Sequence, residues 1–506
     1  MQRLTRRGAL GLLGTTAAGV LLAACGGQAP QAPTTAPAAG AKPAAAEPTK
    51  PAAGAAPAPT SAPAAAATTQ PAAGGAAAPA AAATATPTVA PVSFGQGTKL
   101  TLWHYWGGLL GESVNKLIKE WAEKSGKYQV EVTFTEPAQL LRKWQTAIAG
   151  DALPDAGQGD LIWIPILQKT GKLVALDDAL KAKGVDTKDF IQSILQYDIG
   201  PDGKIYAQPL STNNIQLFYN KKLVAESGLD WDKNPPKTWD ELAQQAAKIT
   251  NADKKTWGII AGVNTTQGSQ GALAIRHMCY TWQSGVEYFA KDSQGREERG
   301  NPVFNSEKAV AAWQWYADLI NKYKAMPLQP PQDGFQTGFV GATYTGPWNI
   351  RTYQQQIGGK FEMGVFDHPG PTPQGAGHSW SGGEHFFSLK NKQNYQDATQ
   401  DLVLWLTSKE QVERFAIDSG FIPTRTSALE GDTYKKFLEQ NPLWKPFAAN
   451  MAKTHPRTPT PLFDKVSIAI SQHLENIIFQ KGTAKDELDA AVKDVLNIYA
   501  DEGYKP

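Results

Sequence analysis

The amino-acid sequence predicts an α/β fold with two lobes, each a central sheet flanked by helices. From about Thr98 onwards, segments with strand-like alternation and segments with helical spacing follow one another along the chain. This globular part holds about 410 residues, more than one hydrophobic core usually supports. Strand–helix–strand order favours a mainly parallel sheet. We therefore expect at least two α/β units in one chain.

The first half of the predicted fold begins with a strand over residues 99–103. Residues 112–124 have apolar side chains at helical spacing, and residues 129–134 alternate as a second strand. A second helix is expected over residues 139–149. The short apolar run 160–164 is predicted to be the third strand.

Helices dominate the later part of the chain. Thr238 followed by Glu241 three positions later is the pattern of a capping box, so a helix is expected to begin there. Residues 310–323 and 399–407 have the spacing of amphipathic helices. The sequence shows no internal repeat and no second membrane-spanning segment.

Residues 1–24 have the organisation of an export signal. Arg3, Arg6 and Arg7 are followed by the uncharged stretch 8–24, the order of a basic and then an apolar region. The alternative is a permanent anchor helix, for which this Gly- and Ala-rich run is short. The paired arginines in residues 5–10 resemble a twin-arginine (Tat) signal, although such pairs also occur in ordinary signals.

The signal ends in Leu22-Ala23-Ala24-Cys25-Gly26, which resembles the lipobox of bacterial lipoproteins. This resemblance implies that Cys25 is lipidated and that the chain is cut just before it. We therefore expect an exported lipoprotein at the cell surface or in the periplasm, anchored to the membrane by its N-terminal lipid.

Residues 25–96 are predicted to be the lipidated cysteine followed by a disordered tether. The segment is almost entirely Ala, Pro, Thr and Gly, and has too little apolar bulk to offset the entropy of ordering. An extended proline-rich chain rises ~3 Å per residue, which gives an upper reach of roughly 200 Å.

The cysteine count and the net charge argue against a disulfide-linked protein and against a nucleic-acid-binding protein. The chain has 2 cysteines, so a lipidated Cys25 leaves Cys279 without an intrachain disulfide partner, and Cys279 is expected to be a small buried residue. The net charge of +2 gives no indication of nucleic-acid binding.

Six short segments, in this order, resemble one known family. They are Trp103-His104-Tyr105-Trp106-Gly107-Gly108, Gly150-Asp151-Ala152-Leu153-Pro154-Asp155, Ile205-Tyr206-Ala207-Gln208-Pro209 with Leu217-Phe218-Tyr219-Asn220-Lys221, Pro236-Lys237-Thr238-Trp239-Asp240-Glu241-Leu242, Thr345-Gly346-Pro347-Trp348, and Gly420-Phe421-Ile422-Pro423. The chain resembles the extracellular solute-binding proteins of ABC transporters, of the sugar and glycerol-3-phosphate type that includes maltose-binding and glycerol-3-phosphate-binding proteins.

The resemblance implies a periplasmic-binding-protein-like (type II) fold with a hinge. Lobe 1 would take residues 97–209 and 378–430, and lobe 2 residues 210–377 and 431–506. A sugar or related polyol would bind between the lobes of a monomer and be delivered to the permease subunits of the transporter. No cofactor, metal or catalytic residue is expected.

Aromatic residues in loops are the first predicted ligand contacts. Sugars present flat C–H faces, so a sugar site needs aromatic platforms. Tyr105, Trp106, Trp348 and Trp380 lie in Gly-, Pro- or Ser-rich loops, and Trp348 matches the stacking turn of the family. Tryptophans at helical positions are instead expected in the core: Trp121, Trp144, Trp239, Trp313, Trp315 and Trp405.

Polar residues near the same motifs complete the predicted site. Asp160 at a strand end can accept hydrogen bonds from two sugar hydroxyls. Arg457 occupies the loop where, by the resemblance, glycerol-phosphate binders place a phosphate-pairing arginine. The other predicted contacts are Glu136, Asn213, Asn214, Tyr344, Gly382, Gly383 and Glu384.

Two other ligands and two other protein classes stay open at this point. Glycerol-3-phosphate or a glycerophosphodiester would also fit these residues. A secreted glycoside hydrolase would need two opposed carboxylates, for which Glu136 and Glu384 are available, but no catalytic motif surrounds either. A surface carbohydrate adhesin would share the tether and the aromatic content.

Overall fold

The computed structural model describes residues 90–261, 272–291, 293, 297–458 and 460–503. The predicted signal segment, Cys25 and most of the predicted tether lie outside the described residues.

The described part of the chain alternates strands and helices. The strands are β1 (Val92–Gly95), β2 (Thr98–His104), β3 (Tyr128–Phe134), β4 (Ala156–Asp160), β5 (Gln208–Pro209), β6 (Gln216–Asn220), β7 (Trp257–Ile260), β8 (Phe289–Lys291), β9 (Glu297–Pro302), β10 (Val340–Thr345), β11 (Met363–Phe366), β12 (Ser379–Ser381), β13 (Glu384–Ser388) and β14 (Thr454–Pro456). The helices are α1 (Gly108–Ser125), α2 (Pro137–Ala149), α3 (Ile164–Gln168), α4 (Asp177–Ala182), α5 (Gln192–Leu195), α6 (Lys221–Glu226), α7 (Trp239–Ile249), α8 (Ala272–Gln283), α9 (Glu307–Asn321), α10 (Ile350–Ile357), α11 (Gln396–Leu406), α12 (Lys409–Ser419), α13 (Thr426–Leu429), α14 (Asp432–Gln440), α15 (Lys445–Ala449), α16 (Phe463–Ile478) and α17 (Ala484–Asp501).

The first sheet has the strand order β1-β3-β2-β4-β13-β5. Its centre is parallel, since β2 runs parallel to both β3 and β4. Its outer pairings are antiparallel: β1 with β3, and β13 with β4 and β5. The sheet is therefore mixed, whereas the sequence predicted a mainly parallel one. Because β13 comes from a distant part of the chain, no strand–helix–strand crossover fixes its direction.

The second sheet has the strand order β11-β6-β10-β7. Helices α6 and α7 pack against it, whereas α1 and α11 pack against the first sheet. Two further pairs, β12 with β14 and β8 with β9, form small separate ladders. The molecule thus has the predicted two-lobed α/β architecture, with a helix-covered sheet in each lobe.

The chain passes between the two sheets repeatedly. It leaves the first sheet after β5 and enters the second with β6, and it returns from β11 to the first sheet at β13. Isolated β-bridges then join Thr212 to Ile422 and Asn213 to Gly382. Three stretches from distant parts of the sequence therefore run side by side, and we call them the crossing segments (209–216, 378–384 and 419–424). The exact boundaries of the lobes stay a prediction.

The predicted tether ends earlier than residue 96. Residues Val92–Gly95 form β1, which pairs antiparallel with β3 from Val92 opposite Val132 to Gly95 opposite Gln129. Valine and phenylalanine favour strands, and the unpaired edge of β3 supplies hydrogen-bonding partners. Residues 92–95 are too few to predict a strand from their own sequence, and they form one because they pair with β3.

The predicted bounds of the third strand, residues 160–164, are also wrong. It is β4, Ala156–Asp160, and the apolar run after it is helical, with a 3₁₀ turn over Leu161–Trp163 that leads into α3. The Asp160 carboxylate accepts the backbone N–H of Ile162 at 3.1 Å, which caps this turn. Gly157 is needed in β4 because a Cβ there would lie 2.4 Å from the Trp144 ring. A strand of small residues buried on both faces has no alternation to detect.

Other predicted elements are confirmed. Helix α7 begins at Trp239, and the Thr238 hydroxyl accepts the N–H of Glu241. The Glu241 carboxylate accepts the N–H of Lys237 instead of that of Thr238, one residue earlier than in a capping box. Cys279 is fully buried. The tryptophans expected in the core are buried except Trp405, which is half-buried: Trp121, Trp144, Trp239, Trp313 and Trp315.

Asp155 joins β2 to the start of β4 and to the loop after β13, and replacing it should destabilise the first lobe. Its buried carboxylate accepts the Thr101 N–H at 2.7 Å, the Thr101 hydroxyl at 2.8 Å and the Asn391 amide at 2.7 Å. Asp155→Ala leaves these donors unpaired, so we expect a loss of about 2–3 kcal/mol in the free energy of unfolding. Chemical denaturation measures it.

The exposed Asp253 provides the matched control. Asp253→Ala should change stability by no more than about 0.5 kcal/mol. Equal midpoints for the two variants would show that the Asp155 bonds contribute nothing net.

Candidate functional site

A cavity of about 290 Å³ lies where the three crossing segments meet. The first and third segments contribute Asn213 and Phe421, and the second contributes Trp380, Gly382 and Glu384. The complete lining is Tyr105, Trp106, Gly107, Leu110, Pro137, Asp160, Asn213, Trp348, Trp380, Gly382, Glu384 and Phe421. The cavity thus draws on loops from both sheets.

Sheet topology explains why these residues meet. Tyr105 follows the carboxyl end of β2, and Asp160 is the last residue of the neighbouring parallel strand β4. Carboxyl ends of parallel strands lie at one edge of a sheet, the usual position of ligands in open α/β folds. Glu384 begins the antiparallel β13 and is paired directly with Asp160. One sheet edge therefore carries all three side chains.

Aromatic rings form one wall of the cavity. The Trp348 ring lies 6.4 Å from that of Trp380 at an interplanar angle of 28°, and 6.0 Å from that of Phe421 at 24°. Trp106 also lines the cavity, is 3% exposed and stacks on Phe415 at 4.7 Å. Trp348 and Trp380 are half-buried and line the cavity.

A buried ion pair forms the base of the site. The Arg457 guanidinium donates to the Asp160 carboxylate at 2.7 Å and lies 5.1 Å above the Trp380 ring. The Arg457 side chain is only 2% exposed, and it does not line the cavity. Arg457 therefore neutralises the Asp160 carboxylate without being part of the cavity lining.

Glu384 has a different environment from Asp160. Its carboxylate accepts the Tyr105 hydroxyl at 3.0 Å and the Ser211 hydroxyl, and both donors are neutral. Burial raises the pKa of Glu384 to about 8, and the hydrogen bond from Ser211, which lowers that pKa, does not offset it. The nearby charge of Asp160 raises the pKa further, whereas Tyr105 and Arg457 lower it.

Two polar atoms at the cavity have no partner within the described part of the chain. They are Oδ1 of Asn213 and Nε1 of Trp380, an acceptor and a donor. Gly382 lies between them, and a Cβ there would be 2.4 Å from the Asn213 oxygen and 2.5 Å from the Trp380 ring. Buried polar atoms without partners carry a free-energy cost that a bound polar molecule can relieve.

Several predicted site residues lie away from the cavity lining. Tyr344 is buried, and its ring packs 4.0 Å from that of His368. The amide of Asn214 donates to the Phe447 carbonyl at 2.9 Å, so it serves the packing of the second lobe. These side chains support the second lobe, and neither of them lines the cavity.

Of the other predicted site residues, some line the cavity and some do not. Glu136 is exposed at the start of α2, and its neighbour Pro137 lines the cavity. Gly383 is a backbone contact, since its carbonyl accepts the Leu161 N–H at 3.0 Å. Tyr105, Trp106, Asp160, Asn213, Trp348, Trp380, Gly382 and Glu384 do line the cavity.

The sequence did not predict four of the lining residues, Gly107, Leu110, Pro137 and Phe421, nor Ser211, which contacts Glu384. Phe421 supplies an aromatic wall, although its Gly-Phe-Ile-Pro loop had been noticed as a motif. Ser211 orients Glu384 through its hydroxyl, and no sequence pattern marks it. Ser211 lies next to Glu384 because β13 pairs with β5, and the sequence alone does not show this pairing.

The residues that the structure describes contain neither a candidate metal site nor a candidate membrane-spanning helix. No group of three or more His, Cys, Asp or Glu side chains there could hold a metal ion. None of the helices in the same ranges is long and apolar enough to cross a membrane.

Comparisons with known proteins agree on one family. The family model described as bacterial extracellular solute-binding protein matches residues 116–442. The sn-glycerol-3-phosphate-binding periplasmic protein of Escherichia coli is 21% identical over 78% of this chain and 91% of its own. A maltotriose-binding protein of Pyrococcus abyssi is 23% identical over 74% of this chain and 75% of its own.

A solved structure shows the same architecture. The cyclic α-maltosyl-1,6-maltose binding protein of Arthrobacter globiformis superposes with a TM-score of 0.67 and 26% identity. The match covers 80% of this chain and all of that protein.

Glu384 should make stability depend on pH in a recognisable way. Its pKa of about 8 in the folded protein is above the ordinary 4.5, so the folded state holds this proton more tightly than the unfolded state does. Its contribution to stability is complete below pH 4.5 and is lost as the pH rises to about 8. We expect the unfolding free energy of the wild type, relative to Glu384→Gln, to fall by up to about 1.4 kcal/mol per pH unit in that window.

Denaturant titrations of both proteins at a series of pH values measure this difference. Glu384→Gln keeps the shape and cannot ionise, so other titrating groups cancel in the comparison. A difference that stays constant across the window would place the carboxylate in a polar environment, against the geometry above.

Proposed function

Because the chain belongs to the family of bacterial extracellular solute-binding proteins, we propose that it is the substrate-binding component of an ABC importer. It binds a sugar or related polyol between its two lobes and delivers it to the permease subunits in the membrane. It does so as a binding protein without catalysis.

One observation carries this proposal: the cavity at the crossing segments combines aromatic faces with unpaired polar atoms. Trp348 and Trp380 offer stacking surfaces for the C–H face of a sugar ring. Asn213, Asp160 and Glu384 offer oxygen atoms for its hydroxyls. These are the two kinds of contact that a carbohydrate requires.

The distribution of charge favours a sugar over a glycerol-phosphate ligand. The lining has two carboxyl side chains, Asp160 and Glu384, and no Lys, Arg or His among the described residues. Arg457, the predicted phosphate-pairing residue, is buried and engaged with Asp160. A phosphate would therefore meet carboxylates before it met a cation.

Binding at the crossing segments would bias the lobes toward closure. A ligand that contacts residues of both lobes is fully bound only when they are closed, so it shifts the population toward that state. A permease can then recognise the closed shape. A hydrolase is less well supported, because Glu136, one of the two carboxylates considered for that role, lies outside the cavity lining.

The N-terminal sequence supports an anchored protein. A lipid on Cys25 would hold the globular part at the membrane, and the tether up to β1 would let it reach outward while keeping it near its permease. The paired arginines Arg6 and Arg7 support twin-arginine export.

Small-angle scattering with saturating ligand tests the function directly. Maltose, maltotriose and sn-glycerol-3-phosphate are the first probes, chosen by thermal shift. We expect a sugar to reduce the radius of gyration, and Trp348→Ala to weaken its binding by about 1–3 kcal/mol in calorimetry, because an aromatic platform is lost.

Trp405→Ala is the matched control, since Trp405 is a half-buried tryptophan of the first lobe that does not line the cavity. It should leave affinity unchanged. Binding without any contraction would favour an adhesin with a preformed surface, and equal affinity in both variants would remove Trp348 from the site.

Cys25→Ala tests the anchor. The variant should be recovered in the soluble fraction of the exporting host, whereas the wild type remains with the membranes, because one acylated cysteine is the proposed attachment. Fractionation and immunoblotting measure it, with Cys279→Ala as the matched control. Membrane retention of Cys25→Ala would refute lipid anchoring.

A further inference from the structure

The charges at the cavity leave one carboxylate without a cation. Asp160 is neutralised by Arg457 at 2.7 Å. Glu384 contacts only the neutral donors Tyr105 and Ser211 among the residues that the structure describes. An ionised Glu384 would therefore be a buried charge that is hydrogen-bonded to no cation, which is costly in a low-dielectric site.

Proton binding relieves that cost while the cavity holds no cation. The groups facing Glu384 are the phenol of Tyr105, the carboxylate of Asp160 and the guanidinium of Arg457, each from a different segment. Burial and Asp160 outweigh the rest, so the pKa is about 8 and the carboxyl holds its proton at neutral pH. A positive charge placed beside it would reverse this balance and release the proton.

The other wall residues also suit a cation. The faces of Trp348, Trp380 and Tyr105 carry the negative side of their quadrupoles, which attract ammonium groups. Asn213 is 3% exposed and presents an acceptor oxygen without a partner. An ammonium group has three donors and no acceptor, and Asn213 and Glu384 are acceptors that line the same cavity.

We propose that the ligand of this cavity is a sugar bearing a protonated amine, whose ammonium group pairs with Glu384. The inference rests on the proposed function and narrows its ligand class. Binding transfers the Glu384 proton to solvent and leaves an ammonium–carboxylate pair, so charge balances without a further ion. The site therefore selects an amino sugar over the neutral sugar of the same shape.

Isothermal titration calorimetry at pH 6.5 tests this with three sugars of one skeleton. They are the β-1,4-linked glucosamine disaccharide, which carries protonated amines, its N-acetylated form and cellobiose. Hydrogen bonds to charged groups exceed neutral ones by enough to give about a tenfold preference for the amine. Titration in two buffers of different ionisation enthalpy should show about one proton released per amino sugar bound.

Glu384→Gln should abolish both the preference and the proton release. Glu439→Gln, which removes an exposed carboxylate of α14, should retain both. Proton counting on the wild type is decisive even if Glu384→Gln folds poorly.

The outcomes separate the two proposals. If cellobiose or maltose binds at least as tightly as the amino sugar, with no proton released, this inference is overturned and sugar binding stands. If no sugar binds at all, both the inference and the proposed function are contradicted.

Discussion

The insertion of β13 between β4 and β5 is the constraint on which the rest of the site depends. The strand returns from the second lobe and pairs with Asp160 at its first residue and with Ala156 at its last. This register places Glu384 at the same sheet edge as Tyr105 and brings the crossing segments together. A shift by one residue would turn Glu384 to the opposite face, because strand side chains alternate.

The pairing of Glu384 with Asp160 creates an electrostatic problem that the fold resolves asymmetrically. Two carboxylates side by side in a buried site cannot both stay charged without compensation. Arg457, the residue after β14, neutralises Asp160, and a bound proton neutralises Glu384. The two acids therefore have different chemical characters although they occupy neighbouring positions on adjacent strands.

Periodicity predicted the elements whose burial is one-sided. Helices α1 and α2 and strands β2 and β3 follow from the spacing of their apolar residues, and the start of α7 follows from its capping residue Thr238. Strand β4 could not be found this way, because Ala-Gly-Gln-Gly-Asp is buried almost throughout, and aromatic rings from other segments cover its two glycines.

The cavity was partly predictable for a similar reason. Aromatic residues in glycine-rich loops, such as Trp348 and Trp380, indicated ligand contact, and both line the cavity. Tyr344 and Asn214 do not line the cavity, because a polar group next to a motif can equally serve internal packing. Phe421 and Ser211 depend on strand pairing between distant segments, which a single sequence does not reveal.

Strand β1 has a mechanical consequence. It is the first element of the described chain and holds the edge of the first sheet through its ladder with β3. Any tension applied through the preceding segment reaches this ladder before it reaches the parallel centre of the sheet. Under tension, the few hydrogen bonds between β1 and β3 would therefore break first and could form again. The sheet edge that carries Tyr105, Asp160 and Glu384 would keep its geometry.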